Sequence, residues 1–307
     1  MGEEMQQIIA PFTTRYDGND TKYHVIDAQQ YGQSVLGAAK IYNAVSHYCY
    51  YGNVPRGNYK KQFFCYSKVP KEGSYDTLFI LIATLQQYQL FGDLYKEAFG
   101  FLFAKVLDGL HGIWTGRSKG DQVVEKLTDT ICEQARHSAQ MQEIMVNGII
   151  GRDIAHANLF ERLHGKLIDT LPALANGTHN SAKDMVTPIG RSCKSMNQFH
   201  GTPNQSTLDE PDAEVIRSNQ DLEVGDMDQY KCNRISEVNV KTGHCQLDVD
   251  GVGTVNGKIN DPTLEVPDNV YTRALNKQSS FSFSAKPVTR HGEVHKLYIS
   301  DAKDDNA

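Results

Sequence analysis

The sequence predicts an α+β protein: an N-terminal α+β domain with long helices, followed by a small C-terminal five-stranded β-barrel-like domain of OB or SH3 type. Three observations carry this. The chain has 307 residues, about twice the length of a typical domain. Apolar residues recur at steps of three and four through much of the first half, the period of a helix with one buried face. The last third instead reads as short strands separated by glycine turns. The expected division is residues 1–172 for the first domain, 173–212 for a linker with an ordered island near 184–196, and 213–303 for the barrel.

In chain order, Phe12–Tyr16 reads as a strand closed by the turn Asp17-Gly18-Asn19-Asp20. Asp27 with Gln30 three residues on has the form of a helix-capping box. Tyr31, Val35, Ala38, Tyr42, Val45 and Cys49 then mark one face of a helix that Gly52 and Pro55 end. Lys61–Val69 and Ser74–Ala83 read as a hairpin around Pro70–Gly73. Leu94–Trp114 predicts a helix apolar on nearly every side, which is either buried or at an interface. Helical pattern resumes from Asp121 to about Ile168 and is broken near Gly148 and Gly151, since glycine costs about 1 kcal/mol within a helix. Pro172–Asp212 is rich in turn residues, among them Asn176-Gly177-Thr178-His179-Asn180.

Beyond it, Tyr230–Val240 and His244–Val249 flank Lys241-Thr242-Gly243, and Asp250-Gly251 leads into Val252–Ile259. Asn269–Leu275 reads as a short helix, and Phe281–Val288 and Glu293–Ser300 as a last hairpin around Arg290-His291-Gly292. Three strands, a helical insert and two strands is the element order of OB-type barrels; an SH3-like barrel or an open sheet is the alternative.

Lys+Arg number 31 against 37 Asp+Glu, a formal charge of -6. Residues 1–171 hold 17 basic and 18 acidic side chains and residues 172–307 hold 14 and 19, so most of the acid surplus lies in the second half. That balance disfavours coating of nucleic acid, which needs cations against phosphates, but leaves room for a local groove. Mean hydropathy is -0.48 and no apolar run approaches the length of a membrane span. With an acidic opening, Met1–Ala10, in place of an export leader, the expectation is a cytoplasmic protein with no membrane partner. Six scattered cysteines without a CxxC pair predict reduced thiols and no zinc ribbon.

Glycine motifs for phosphates are absent, as is a GxSxG elbow, which argues against ATPase, Rossmann and α/β-hydrolase chemistry. The most enzyme-like string is Pro188–Cys193. Cys193 would be the nucleophile, with Arg191 lowering its pKa and His200 or His179 as base. The plainer reading is a structural loop bent by Pro188 and Gly190. His137, His156 and His164 have Glu133 and Glu161 at helical spacing, which suits a metal on one face. Histidines solvated beside carboxylates explain the same spacing, so no metal or other cofactor is expected. On the barrel, Lys286, Arg290, His291, His295, Lys296 and Tyr298 form a candidate ligand patch for phosphate, with Tyr298 or Tyr271 as a stacking platform.

The strings Gly73-Ser74-Tyr75, Pro188–Cys193, Glu223-Val224-Gly225-Asp226-Met227, Asp261-Pro262 and Asn269–Leu275 together resemble an uncharacterised group of bacterial two-domain proteins. The resemblance implies a setting beside mobile-element or phage-defence genes and brings no catalytic residues. The expected function is therefore non-enzymatic binding or regulation. Self-association or a protein partner would use the N-terminal helices, and the barrel would present a ligand surface. A cysteine-dependent or metal-assisted hydrolase, and single-stranded nucleic-acid or nucleotide binding by the barrel, are the alternatives.

Overall fold

A computed structural model describes residues 7–56, 62–68, 76–83, 93–117, 120–150 and 159–304. The connection expected at Pro70–Gly73, the string Gly73–Tyr75, Gly151 and His156 lie outside the described residues. The chain divides into two units, residues 1–114 with 118–217, and residues 115–117 with 218–307.

The first unit sets helices against a five-stranded sheet. Strands β1 (Gln7–Asp17), β2 (Phe63–Ser67), β3 (Asp76–Ala83), β4 (Ser195–Gln198) and β5 (Ser206–Leu208) lie in the order β2-β3-β1-β4-β5. The β2–β3 pair is the expected hairpin, antiparallel with Phe63 opposite Ala83. The β1–β4 pair joins Thr14 to Gln198 across most of the unit's length.

Helix α1 (Ala28–Tyr51) starts where the sequence marks it. Asp27 accepts from the Gln30 amide at 2.8 Å, while the Gln30 side chain accepts from the Ser192 hydroxyl. Gly52 ends α1 in the left-handed region at φ 65, its N–H returning to Tyr48 O. Helix α2 (Asp93–Trp114) buries Phe99, Leu102, Phe103, Val106, Leu107 and Leu110 in the core of its own unit. Its all-round apolar surface is thus used internally.

Helices α3 (Gly120–His137) and α4 (Ala139–Ile144) follow, the latter running into a π-helical turn at Met145–Ile150. Then comes the main departure from expectation. Residues 159–185 form one helix, α5 (Leu159–Met185), which passes through Pro172 and through the Asn176–Asn180 string expected as linker. Leu163, Leu167, Leu171, Leu174, Thr178, Ala182 and Met185 are buried in steps of three and four. Pro172, Asn176, Gly177 and Asn180 all fall on the exposed side. Burial of that stripe outweighs the hydrogen bond lost at proline and the low helix propensity of its neighbours. The rest of the expected linker is ordered too, as β4, β5 and α6 (Glu210–Arg217), and it belongs to the first unit.

The second unit is a closed five-stranded barrel, in agreement with the sequence. Its strands are β7 (Asp228–Val238), β8 (His244–Val249), β9 (Gly253–Ile259), β10 (Phe281–Arg290) and β11 (Glu293–Asp304), with the short β6 (Glu223–Val224) added beside β10. The antiparallel pairs β7–β8, β8–β9, β10–β11 and β7–β10, with the parallel pair β9–β11, complete the ring. Third and fifth strands parallel, with a helix between the third and fourth, is OB-type connectivity. That helix, α7 (Val270–Lys277), is capped by Asn269 and packs Tyr271 against Phe281 at 5.7 Å. The core holds Ile235, Leu247, Phe281, Phe283, Leu297 and Ile299.

Candidate functional site

Strand alternation decides which barrel residues can meet a ligand. On β11, Leu297 and Ile299 point into the core, so Lys296 and Tyr298 point outward. On β9, Val255 and Ile259 are inside and Asn256 and Lys258 outside. Register then sets the neighbours: Lys286 of β10 lies opposite Tyr298, Tyr298 opposite Lys258, and Lys258 opposite His244 of β8. Such cross-strand pairs stand about 5 Å apart at Cβ. Lys296 completes the group, with Nζ donating to the Tyr298 hydroxyl at 3.1 Å and lying 4.7 Å from the ring centroid. Three lysines therefore share the outer wall with one phenol, Lys258 and Lys286 opposite it in register and Lys296 in contact with it. Residues 218–307 as a whole carry 10 basic and 14 acidic side chains, so this wall is basic on an acidic unit.

The expected patch is split by this geometry. Lys286, Lys296 and Tyr298 share the wall. Arg290 and His291 sit at the hairpin tip, where Arg290 faces Glu293 and His291 Nδ1 is 4.0 Å from an Asp221 oxygen. His295 is exposed at the bulge where register slips between Val288 and Thr289. Lys258 and His244 join the wall through the parallel β9–β11 pair, a contact with no local signature in the sequence. The stacking role does not hold: Tyr298 is 4% exposed beneath Lys296, and Tyr271 is wholly buried. Among the described residues, no Phe, Tyr or Trp of the barrel is exposed.

The N-terminal candidates do not converge on a reactive centre. Cys193 is fully buried, and burial, with Asp17 nearby, pushes its thiol up to about 12, opposite to what a nucleophile needs. The loop around it is structural: Ile189 and Cys193 form a bridge, Gly190 has φ 77, and Arg217 donates to the Val186 and Ile189 carbonyls. Arg191 is exposed, and its carbonyl accepts from Asn19.

His200 lies at the far end of β4, in a polar network on the outer sheet face. Arg15 Nη1 is 3.2 Å from His200 Nε2, and His200 Nδ1 is 3.1 Å from Gln205 Oε1. Because arginine only donates, the pattern assigns the ring proton to Nδ1 and leaves Nε2 as acceptor. His179 lies within α5. His137 is exposed on α3, and His164 stacks on Phe160 at 5.7 Å. Among the described residues, no three His, Cys, Asp or Glu side chains are gathered as metal ligands, and no helix is long and apolar enough to cross a membrane.

A family model described as Domain of unknown function (DUF7946) matches residues 12–217, about two thirds of the chain. The chain belongs to the DUF7946 family. The DUF7946 match ends at Arg217, where the first unit ends, rather than at the expected boundary of 172. A second model, Family of unknown function (DUF7947), matches residues 229–303, the barrel. No curated protein and no solved structure matches the chain.

The DUF7946 part also holds a cleft of about 350 Å³ that sequence reading did not anticipate. Phe12 of β1, Phe103 of α2 and Phe199 after β4 form its floor, with centroid separations of 5.0 to 6.0 Å. Its lining comes from residues separated by up to about 190 positions, so no window of sequence contains it.

Proposed function

We propose that this protein works by binding, and that the lysine wall of its barrel grips phosphate groups carried along a flexible polyanion such as a single nucleic-acid strand. The observation that carries the reading is the register that sets Lys258 and Lys286 on either side of Tyr298, with Lys296 in contact with its ring. Without an exposed ring to stack a base, recognition would rest on phosphate number and not on base identity. A binding role is further supported by the dispersal of the reactive candidates, since Cys193 is a buried thiol and His200 is engaged with Arg15 and Gln205.

The test is fluorescence anisotropy of labelled single-stranded oligo-dT and oligo-dA of equal length against the full chain at low salt. The two strands are expected to bind alike, with a mononucleotide far weaker. Three neutralised phosphates give a salt slope of about −2, so a fourfold rise in salt would weaken binding roughly 15-fold. No binding at the lowest salt, or a strong preference between the two strands, would refute the reading.

A further inference from the structure

The cleft of the first unit stands apart from the barrel wall in residues and in chemistry, and it is built like a small-molecule site. Its volume, about 350 Å³, lies at the small end of the range of about 300–1,000 Å³ that such sites occupy. The floor is aromatic: Phe12, Phe103 and Phe199 are at most 7% exposed and present rings to the opening. Met141 of α4, wholly buried, gives a polarizable side wall.

Two features distinguish this opening from an ordinary packing defect. Phe199 holds φ at 52, a left-handed backbone that a bulky side chain adopts at a cost of about 1–3 kcal/mol. The Thr202 hydroxyl and amide both donate to the Phe199 carbonyl, fixing the turn that places the ring. The second feature is Gly100 of α2, which lines the cleft and has no atom within 4 Å of where a Cβ would stand. Alanine there would improve the helix by about 1 kcal/mol. The position instead holds the residue that leaves the cleft widest.

The rim decides the class of ligand. Gln134, Gln140 and Asn204 offer side-chain amides that make no hydrogen bond to another described residue, so donors and acceptors stand over the aromatic floor. Glu97 is a charged side chain of the lining, and among the described residues no Lys, Arg or His lines the cleft. A carboxylate or phosphate would enter against Glu97, while the nearby Lys105 ammonium is engaged over the Phe101 ring, 5.5 Å from its centroid. A ring faces aromatic edges it can pack on, and a cation gains from both Glu97 and the ring faces.

We propose that this cleft is a binding site for a small aromatic molecule without negative charge, held by ring packing on Phe12, Phe103 and Phe199 and oriented by the amides of Gln134, Gln140 and Asn204.

The experiment uses three probes that share one ring system: indole, tryptamine and indole-3-acetate, each added to the full chain and followed by saturation-transfer NMR. Indole and tryptamine are expected to bind, and indole-3-acetate at least tenfold more weakly. Gly100→Leu, which places a side chain in the cleft, should weaken indole at least tenfold with an unchanged circular-dichroism spectrum, and Gly100→Ala should keep most of the binding. Absence of an indole signal at millimolar concentration would overturn the proposal. So would indole-3-acetate binding as tightly as indole, or a folded Gly100→Leu protein that binds indole as the native chain does. The comparison of probes needs no variant, so a Gly100→Leu chain that fails to fold leaves the proposal open to refutation.

Discussion

Inside the barrel, Tyr271 donates its hydroxyl to Asp261 Oδ2 at 2.8 Å, and the other oxygen of Asp261 accepts from the Thr263 amide at 2.8 Å. Asp261 is 6% exposed, so loss of the phenol would leave a buried carboxylate oxygen short of a donor. Tyr271→Phe is therefore expected to cost about 2 kcal/mol, read from chemical denaturation of the full chain, whereas a surface role would leave the midpoint unmoved. At this scale the sequence pointed to the right strings and to the wrong jobs. Asn269 and Asp261, which stand in strings singled out only for a resemblance, cap α7 and the turn Pro262–Glu265. Tyr271 and Tyr298 stand out as aromatic platforms, but one is core and the other lies under Lys296. Cys193 stands out as a nucleophile candidate beside the plainer reading of a structural loop, and is packed away from solvent. Exposure is a property of the completed fold, and a residue's type does not carry it.

Helix α1 meets helix α5 at Gly37, where a Cβ would fall 2.5 Å from both the Met185 amide nitrogen and the Ser181 carbonyl oxygen. Backbone on the opposite side is unable to rotate away, so the two helices would have to part. Gly37→Ala gains up to about 1 kcal/mol in helix propensity and loses about 1–3 kcal/mol to overpacking. The expected outcome is a net loss of about 1–2 kcal/mol and a lower melting temperature, checked by thermal denaturation. A variant as stable as the native chain would show that α1 and α5 are not packed this closely.

Helix α1 was legible because its signals are local: a cap at Asp27, a stripe of apolar residues, a stop at Gly52. Helix α5 was half legible. Leu163, Leu167, Leu171, Leu174, Thr178 and Ala182 hold the helical period throughout, but Pro172 and Asn176-Gly177 speak the vocabulary of turns. Period outweighs vocabulary here, because burial of these six side chains and Met185 outweighs one missing N–H. Strands β4 and β5 were unreadable for a different reason. Each is four residues or fewer, and β4 depends on a partner some 180 positions away.

Across the whole molecule, buried acids of high pKa tie stability to pH. Burial pushes the thiols of Cys193, Cys232 and Cys245 up to about 12, and raises the phenols of Tyr16, Tyr42, Tyr48 and Tyr271. The unfolded chain releases thiol protons from about pH 8.5 upward while the folded chain keeps them, so the unfolded state binds fewer protons and stability falls as pH rises. Each buried thiol contributes a loss of up to about 1.4 kcal/mol per pH unit between roughly pH 9 and 12. Denaturation midpoints measured from pH 8 to pH 11 should fall steadily, and a flat profile would mean the thiols are not enclosed as described.

The barrel, with its own core and its own matched family model, was legible as a class from strand count, glycine turns and the placed helix. The face proposed to bind phosphate was not, because Lys258 comes opposite Tyr298 only through ring closure. That wall is also where the account is most directly tested. The measurement is the dependence of oligo-dT affinity on salt for the native chain and for the Lys258→Gln, Lys286→Gln, Lys296→Gln triple variant. The account expects a slope of about −2 for the native chain and one close to zero, with weak residual binding, for a variant that remains folded. Equal slopes and equal affinities for the two proteins would contradict it.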